Sequence, residues 1–380
     1  MRPFTFNPGP RLLAGPGQAE ALASTLPPGP CLLVTDHDIV RLGLTDAYRQ
    51  AIAATRELVV FDEVEADPSK ETLLAATQAG RLANVASVVG LGGGSPMDVA
   101  KLAAYLLGSG DELDEIWGVG VASGHRLALA LVPTTAGTGS EATPISVITC
   151  EGGVKLAVNS APLIADCAVL DATLTLGLPS HVTAATGIDA IVHAVEAYTS
   201  ARLKNPLSDA LAREALRLLS SNLITAIEQP QDLEARSAML LGAHLAGLAF
   251  SNAPVAGVHA LAYPLGGLHH LPHGLTNALM LRHVLAHNLE AAREHYAQLA
   301  EILEPRCAGQ GSQARAALLI ERLDELARKS GLELRLRDHG IAFEEAPLLA
   351  KEAMKQTRLL VNNPCEISEG DAQRLYEAAW

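Results

Sequence analysis

The segment Thr186-Gly187-Ile188-Asp189-Ala190-Ile191-Val192-His193-Ala194 sets a carboxylate and an imidazole four residues apart. On a helix the two share one face. Their neighbours are apolar, and an unpaired Asp is costly to bury there. A metal ion would satisfy both side chains, and so would a plain Asp–His hydrogen bond inside a bundle. Farther on, eight of the chain's 13 histidines crowd between His244 and His295. Within that stretch, Pro264, Gly266 and Gly267 predict the end of one helix, and Pro272-His273-Gly274 introduces the next. A fold-back turn between them would bring His259 and His273 together. With Asp189 and His193 they make a set of one carboxylate and three imidazoles, mixed N/O donors that suit Fe(II), Zn(II), Co(II) or Ni(II). His269 and His270 lie in the same turn and are candidates for proton relay or for support of the ligands. His244, His283, His287 and His295 read as ordinary helix residues.

A second kind of chemistry is written in the first half. Gly90-Leu91-Gly92-Gly93-Gly94-Ser95-Pro96-Met97-Asp98 follows a β-rich run and opens a helical pattern. Ser95 is expected as the N-cap, Pro96 at the first helical position and Asp98 at the third. Glycines there let backbone N–H groups approach a ligand, and a helix N-terminus favours a pyrophosphate. The spacing is neither G-x-G-x-x-G nor a P-loop; a tight strand–helix turn is the alternative, and phosphate binding is the favoured reading. The loop Pro133-Thr134-Thr135-Ala136-Gly137-Thr138-Gly139-Ser140-Glu141-Ala142-Thr143 also follows a strand-like run and is rich in hydroxyls, as a nucleotide channel at the carboxyl ends of parallel strands requires. Asp36 ends another such run. A carboxylate there would bond an adenosine ribose and repel a 2′-phosphate, favouring NAD over NADP; a polar strand cap explains it equally.

These residues need two different scaffolds. Runs at 31–35, 58–61, 87–91, 127–132 and 145–149 alternate with helical segments such as 71–83, which predicts a mostly parallel sheet covered by helices. After Pro179, Ala/Leu-rich stretches at 180–200, 206–228, 233–262, 274–303, 312–331 and 345–359 predict an all-helical half. The expected domains are residues 1–178 and 179–380. The chain has 380 residues, 49% hydrophobic and 3% aromatic, so Ala, Leu, Val and Ile must build the core. Its net charge is −14, from 28 Lys+Arg against 42 Asp+Glu, which disfavours nucleic acid as a partner. Cys31, Cys150, Cys167, Cys307 and Cys365 are scattered without C-x-x-C spacing, the pattern of reduced cytoplasmic cysteines. The N-terminal residues lack an apolar signal-peptide core, and the longest apolar stretch falls short of the roughly 20 residues that span a bilayer, so no membrane partner is expected. An Ala-rich, half-apolar chain is also compatible with a homo-oligomer, most simply a dimer.

In combination these segments resemble the iron-containing, metal-dependent (group III) alcohol dehydrogenases. Gly92 to Lys101 is similar to that family's cofactor loop, and Pro133 to Glu141 to its second cofactor loop. Gly187 to Tyr198 and Gly257 to Gly274 resemble its two metal-binding segments. Asn362-Asn363-Pro364 and Tyr376-Glu377-Ala378-Ala379 resemble its usual ending. The resemblance runs in register along nearly the whole chain. It implies an N-terminal α/β dinucleotide-binding domain, an all-α C-terminal domain (the dehydroquinate synthase-like architecture) and a catalytic cleft between them. It also implies Asp189, His193, His259 and His273 as ligands of Fe2+, Zn2+ or another divalent metal. Asp36, Gly92, Gly93, Gly94, Ser95, Asp98, Thr134, Thr135, Thr138, Thr143 and Lys155 would face NAD.

The implied reaction is hydride transfer between a small alcohol, or an aldehyde in reverse, and the nicotinamide, with the metal as Lewis acid. Two positions depart from the family pattern. Tyr263 stands where members often carry a relay histidine, and Tyr is a poorer shuttle near neutrality. Asp67-Pro68 stands where Asn-Pro is usual. Maleylacetate reductase and hydroxyacid–oxoacid transhydrogenase chemistry on the same fold are the enzymatic alternatives. A nucleotide- or metal-binding protein without turnover is the alternative of another class.

Overall fold

The computed structural model describes residues 3–380 and divides into two compact units. One spans Pro8–Gly177. The other spans Leu178–Trp380 together with residues 3–7. Those first residues leave the sheet unit because Asn7 exchanges hydrogen bonds with the buried Asn252: its N–H donates to Oδ1 at 2.6 Å and its carbonyl accepts from Nδ2 at 3.0 Å.

In the sheet unit, β1 (Arg11–Ala14), β2 (Cys31–Val34), β3 (Leu58–Phe61), β4 (Ser87–Gly92), β6 (Ala128–Pro133) and β9 (Cys167–Leu170) form one sheet in the order β1-β9-β6-β4-β2-β3. Every pairing in it is parallel. β2, β4 and β9 are buried at every residue, as strands covered on both faces should be. Helices α1 (Ala19–Thr25), α2 (His37–Arg41), α3 (Asp46–Ala53), α4 (Lys70–Leu82) and α5 (Gly94–Ser109) provide that cover. The run at 145–149 is a strand but belongs elsewhere. As β7 (Ile145–Thr149) it pairs antiparallel with β8 (Lys155–Asn159), and β5 (Gly118–Val119) completes a small second sheet.

Helix α5 begins two residues earlier than a Ser95 cap implies. Gly93 is the N-cap and makes no side-chain cap, which puts Ser95 and Pro96 inside the first turn. Proline is tolerated there because the first-turn N–H groups have no intrahelical acceptor. The Asp98 carboxylate turns away from the helix end and accepts from Ser140 Oγ (2.6 Å) and from the Val147 N–H (2.9 Å). One turn on, Lys101 is fully buried. Its ammonium donates to Ser140 Oγ (2.6 Å), to the Ile145 carbonyl (2.6 Å) and to Thr143 Oγ1 (3.3 Å), and lies 3.6 Å from Asp98. Burial pushes the lysine pKa down while Asp98 and Glu141 pull it back up. This buried pair staples α5 to the loop at 140–147.

The helical unit contains α6 (Ser180–Thr199), α7 (Pro206–Glu228), α8 (Leu233–Asn252), α9 (Gly257–His269), α10 (His273–Asn288), α11 (Arg293–Leu303), α12 (Ser312–Lys329), α13 (Ala346–Ala353), α14 (Thr357–Leu360) and α15 (Glu369–Ala379). Three of the long stretches read from sequence break in two: 233–262, 274–303 and 345–359. The first break, at residues 253–256, contains Pro254. It is held from outside by Ser200 Oγ on the Pro254 carbonyl (2.7 Å) and Asn362 Nδ2 on the Val255 carbonyl (3.0 Å). Pro264, by contrast, does not end its helix. α9 runs through it to His269 and is closed by His270 in the left-handed region (φ 55°). Proline removes the hydrogen bond to the Ala260 carbonyl, and the Tyr376 hydroxyl donates to the next carbonyl, that of Leu261, at 2.6 Å.

From Gly187 to Thr199 α6 is buried on all sides, so it is the central helix of its unit. α10 starts hard against it: a Cβ on Gly274 would stand 2.3 Å from the Ala185 carbonyl oxygen. Only glycine lets His273 reach the middle of α6. No single helix among the described residues is long and apolar enough to cross a membrane.

The Lys101 staple yields a stability prediction. Lys101→Met leaves the Asp98 charge uncompensated and is expected to cost about 3–5 kcal/mol, read from urea unfolding. A loss under ~1 kcal/mol would show that the pair contributes no more than a surface ion pair.

Candidate functional site

Asp189, His193, His259 and His273 come together: one ligand atom from each lies within 4.8 Å of all the others. α6 supplies Asp189 and His193 one turn apart, the start of α9 supplies His259, and the first residue of α10 supplies His273. The Nε2 atoms of His193, His259 and His273 stand 3.9, 3.9 and 3.8 Å from the same oxygen, Asp189 Oδ1. These separations are too long for hydrogen bonds. They match donors that share a cation, since ligands ~2.1 Å from one ion lie roughly 3–4 Å apart. Asp189, His193 and His259 are buried, whereas the His273 side chain is 40% exposed, so the cluster opens on that side. Burial pushes the Asp189 carboxyl up, but His193, His273 and His259, with a hydrogen bond from Asn277, hold it below the ordinary range. The site is built to attract positive charge.

The side chains around these four fix their directions. Glu196, itself buried, accepts from the Val258 N–H on one oxygen (2.6 Å) and from the Ala256 N–H on the other (2.9 Å). The second oxygen also lies 2.7 Å from His259 Nδ1. A carboxylate can only accept, so Nδ1 carries the hydrogen and the Nε2 lone pair faces Asp189. His193 is stacked between Phe250 (ring centroids 4.4 Å apart) and His259 (4.8 Å). Asn277 Nδ2 donates to Asp189 Oδ1 at 2.6 Å. None of these three was singled out from sequence. The signal was there in two cases: Glu196 lies seven residues after Asp189 and three after His193, on the same face of α6, and Asn277 lies one turn after His273.

Of the other histidine-segment candidates, Tyr263 lies with its ring centroid 5.9 Å from that of His273. His269 Nε2 lies 3.1 Å from Glu345 Oε2 without the alignment of a hydrogen bond, and His270 serves as the backbone cap of α9. Neither is among the side chains gathered with Asp189.

The glycine loop lies at the carboxyl end of β4. Gly92 adopts φ 154°, and a Cβ there would meet Pro96 at 2.7 Å and Asp36 Oδ2 at 3.4 Å. The second loop leaves the next strand, β6, and is tied to the first by the Thr134 N–H on the Gly92 carbonyl (2.9 Å). Thr135 and Thr138 pack against Gly93 and Gly94. Two features fit a bound phosphate: the first turn of α5 has no side-chain cap, and Thr134 Oγ1 is buried without a hydrogen-bond partner. Asp36 Oδ1 accepts from the Ile39 N–H (2.9 Å), leaving Oδ2 toward Gly92, and burial raises its pKa. Ser95 stands second in α5. Asp98 and Thr143 are engaged with Ser140, Val147 and Lys101. Lys155 is paired with Asp67 at 2.6 Å.

The comparisons agree with this geometry. Residues 9–172 match the iron-containing alcohol dehydrogenase model, and residues 183–380 match the C-terminal model of the same family. The chain is 39% identical over 353 residues to long-chain-alcohol dehydrogenase 1 of Geobacillus thermodenitrificans, covering 92% of this chain and 89% of that protein. A crystal structure of 1,3-propanediol oxidoreductase superposes with a TM-score of 0.95 at 33% identity, covering 100% of both chains. Sulfoacetaldehyde reductase from Bifidobacterium kashiwanohense in complex with NAD+ superposes with a TM-score of 0.88 at 27% identity, covering 100% of this chain and 99% of that one. With both halves matched and the donor cluster assembled, the chain belongs to the iron-containing alcohol dehydrogenase family.

Proposed function

We propose that the chain interconverts a small alcohol and its aldehyde with NAD, at a divalent metal held by Asp189, His193, His259 and His273. The observation that carries this reading is the convergence of three imidazole Nε2 atoms on one buried carboxylate oxygen at 3.8–3.9 Å. When bound, the metal supplies Lewis-acid polarisation of the substrate oxygen, and the nicotinamide supplies the hydride acceptor.

The chain's own residues do the rest. Asp189 contributes the negative charge that makes the pocket attractive to a cation, and the imidazoles contribute neutral donors. Glu196 holds His259 in the tautomer whose Nε2 is free to ligate, through the hydrogen bond at 2.7 Å. The half-exposed His273 marks the edge at which substrate would approach. Tyr263, its ring tilted against that of His273, would pass a proton or shape the substrate. His269, which faces Glu345 and lies outside the donor cluster, is the weaker candidate for the same task. In the sheet unit, the uncapped α5 terminus and the Thr134 hydroxyl would hold the pyrophosphate, with Gly93, Gly94, Thr135 and Thr138 lining its path. The Asp36 carboxylate beside Gly92 would bond the ribose and repel a 2′-phosphate, favouring NAD over NADP.

An anaerobic screen of primary alcohols and aldehydes with NAD and NADP tests this reading. His259→Ala and His273→Ala are expected to lose both bound metal and NAD-linked turnover. Turnover that survives in both variants would overturn it. Glu196→Gln tests the support of His259. Metal affinity, measured by chelator competition, is expected to fall about 10–100-fold. An unchanged affinity would mean that packing alone fixes the imidazole.

A further inference from the structure

The helical unit also carries a cleft of about 380 Å3 where α10, α12, the segment after α12 and the end of α15 meet. That volume is in the range of small-ligand sites, roughly 300–1,000 Å3. Arg282 lines it from α10, Arg328 from α12 and Arg335 from the segment beyond, with Asp324 of α12 among them. Three cationic side chains thus share the cleft with one carboxylate side chain, in a chain whose net charge is −14. Leu279, Leu334 and Trp380 give the same cleft an apolar surface.

Two of the arginines are fixed in place. Arg282 Nη1 and Arg328 Nε both donate to one oxygen, Asp324 Oδ2, at 2.6 and 3.0 Å. The Asp324 side chain is 15% exposed, whereas those of Arg282 and Arg328 are 52% and 62% exposed. The carboxylate therefore acts as a base for both guanidiniums: it takes one N–H of each and leaves the other donors of each fork open. Exposed ion pairs add little to stability, and two cations drawn onto one oxygen repel each other. An anion received between them relieves that repulsion.

We propose that this cleft binds an organic phosphomonoester, with the phosphate on the three arginines and the organic part against Leu279, Leu334 and Trp380. Three guanidinium forks match the three free oxygens of such a phosphate, and its charge near −2 answers the excess of cationic side chains. A carboxylate has two oxygens and one charge and leaves an arginine unanswered. Holding Arg282 and Arg328 on Asp324 beforehand lowers the ordering cost that long side chains otherwise incur on binding. The site is separate from the donor cluster. Arg282 follows His273 by nine residues, roughly two and a half turns of α10, and none of Asp189, His193, His259 and His273 lines the cleft. The assignment is independent of the metal reading.

The test is titration calorimetry on the full-length protein with NAD at saturation, so that the nucleotide loops are filled, using phenyl phosphate, inorganic phosphate and benzoate as probes. Phenyl phosphate is expected to bind once per chain, roughly tenfold tighter than either of the other two, and more weakly as KCl is raised. Arg335→Gln and Arg328→Gln are each expected to weaken it roughly tenfold. Arg335 takes no part in the Asp324 contact, so its variant reads binding without disturbing that pair. Phenyl phosphate that does not bind, or that binds both variants as tightly as wild type, overturns the site. Inorganic phosphate held as tightly as phenyl phosphate overturns the ester assignment, and benzoate held as tightly overturns the choice of phosphate.

Discussion

Burying the Asp189 carboxylate is the costly step on which the helical unit is organised. A charge in that position must be met by other charges or donors, and the chain meets it with three imidazoles and a carboxamide drawn from three helices. Each helix has to be steered there. α6 is buried around its whole circumference, so it can carry Asp189, His193 and Glu196 inward on one face. α9 must begin where it does, and the break before it is clamped by Ser200 and by Asn362 from the C-terminal tail. α10 must touch the backbone of α6, which Gly274 alone permits. Features that look unrelated in sequence, such as a tail asparagine and a glycine after a histidine, serve one electrostatic requirement.

The sheet unit solves a different problem with similar means. A parallel sheet brings strand carboxyl ends and helix N-termini to one edge, where backbone donors gather. What keeps that edge fixed is a buried ion pair. Lys101 and Asp98 share Ser140 and bind the segment between β6 and β7 to the first turns of α5. The loop after β6 is therefore anchored at its far end as well as by Thr134 on Gly92. Asp98 and Thr143, matched by position to cofactor-facing residues, spend their polar atoms on this anchorage.

Much of this was legible before any coordinates, because some signals are local. Asp189 and His193 carry helical spacing. The strands of the parallel sheet read at 31–35, 58–61, 87–91 and 127–132 are short apolar runs. Of the gathered histidines, His259 and His273 stand near helix starts, while His193 lies inside α6 one turn from Asp189. What escaped was non-local. β1 and β9 are four residues each and become strands only by pairing with each other and with β6. β7 looked like a sheet strand, but its partner is β8, and hydrophobicity does not say which edge a strand will choose. Pro264 was expected to stop a helix and does not: α9 runs through it to His269. The helix starts at Gly94 with Gly93 as its N-cap rather than Ser95, and Asp98 bonds Ser140 and Val147 instead of the helix end. Glu196 and Asn277 sat at readable spacings, but nothing local distinguishes a buried Glu that orients a histidine from one that does not.

The central claim is that four side chains in the helical unit hold the ion on which alcohol oxidation depends. The most direct test strips the protein with a chelator and titrates it anaerobically with Fe(II) or Zn(II), following reduced nicotinamide formed from NAD and a primary alcohol. The account predicts no turnover at zero metal and a linear rise that levels off at one ion per chain. Full turnover in the stripped protein, indifferent to added metal, would contradict it.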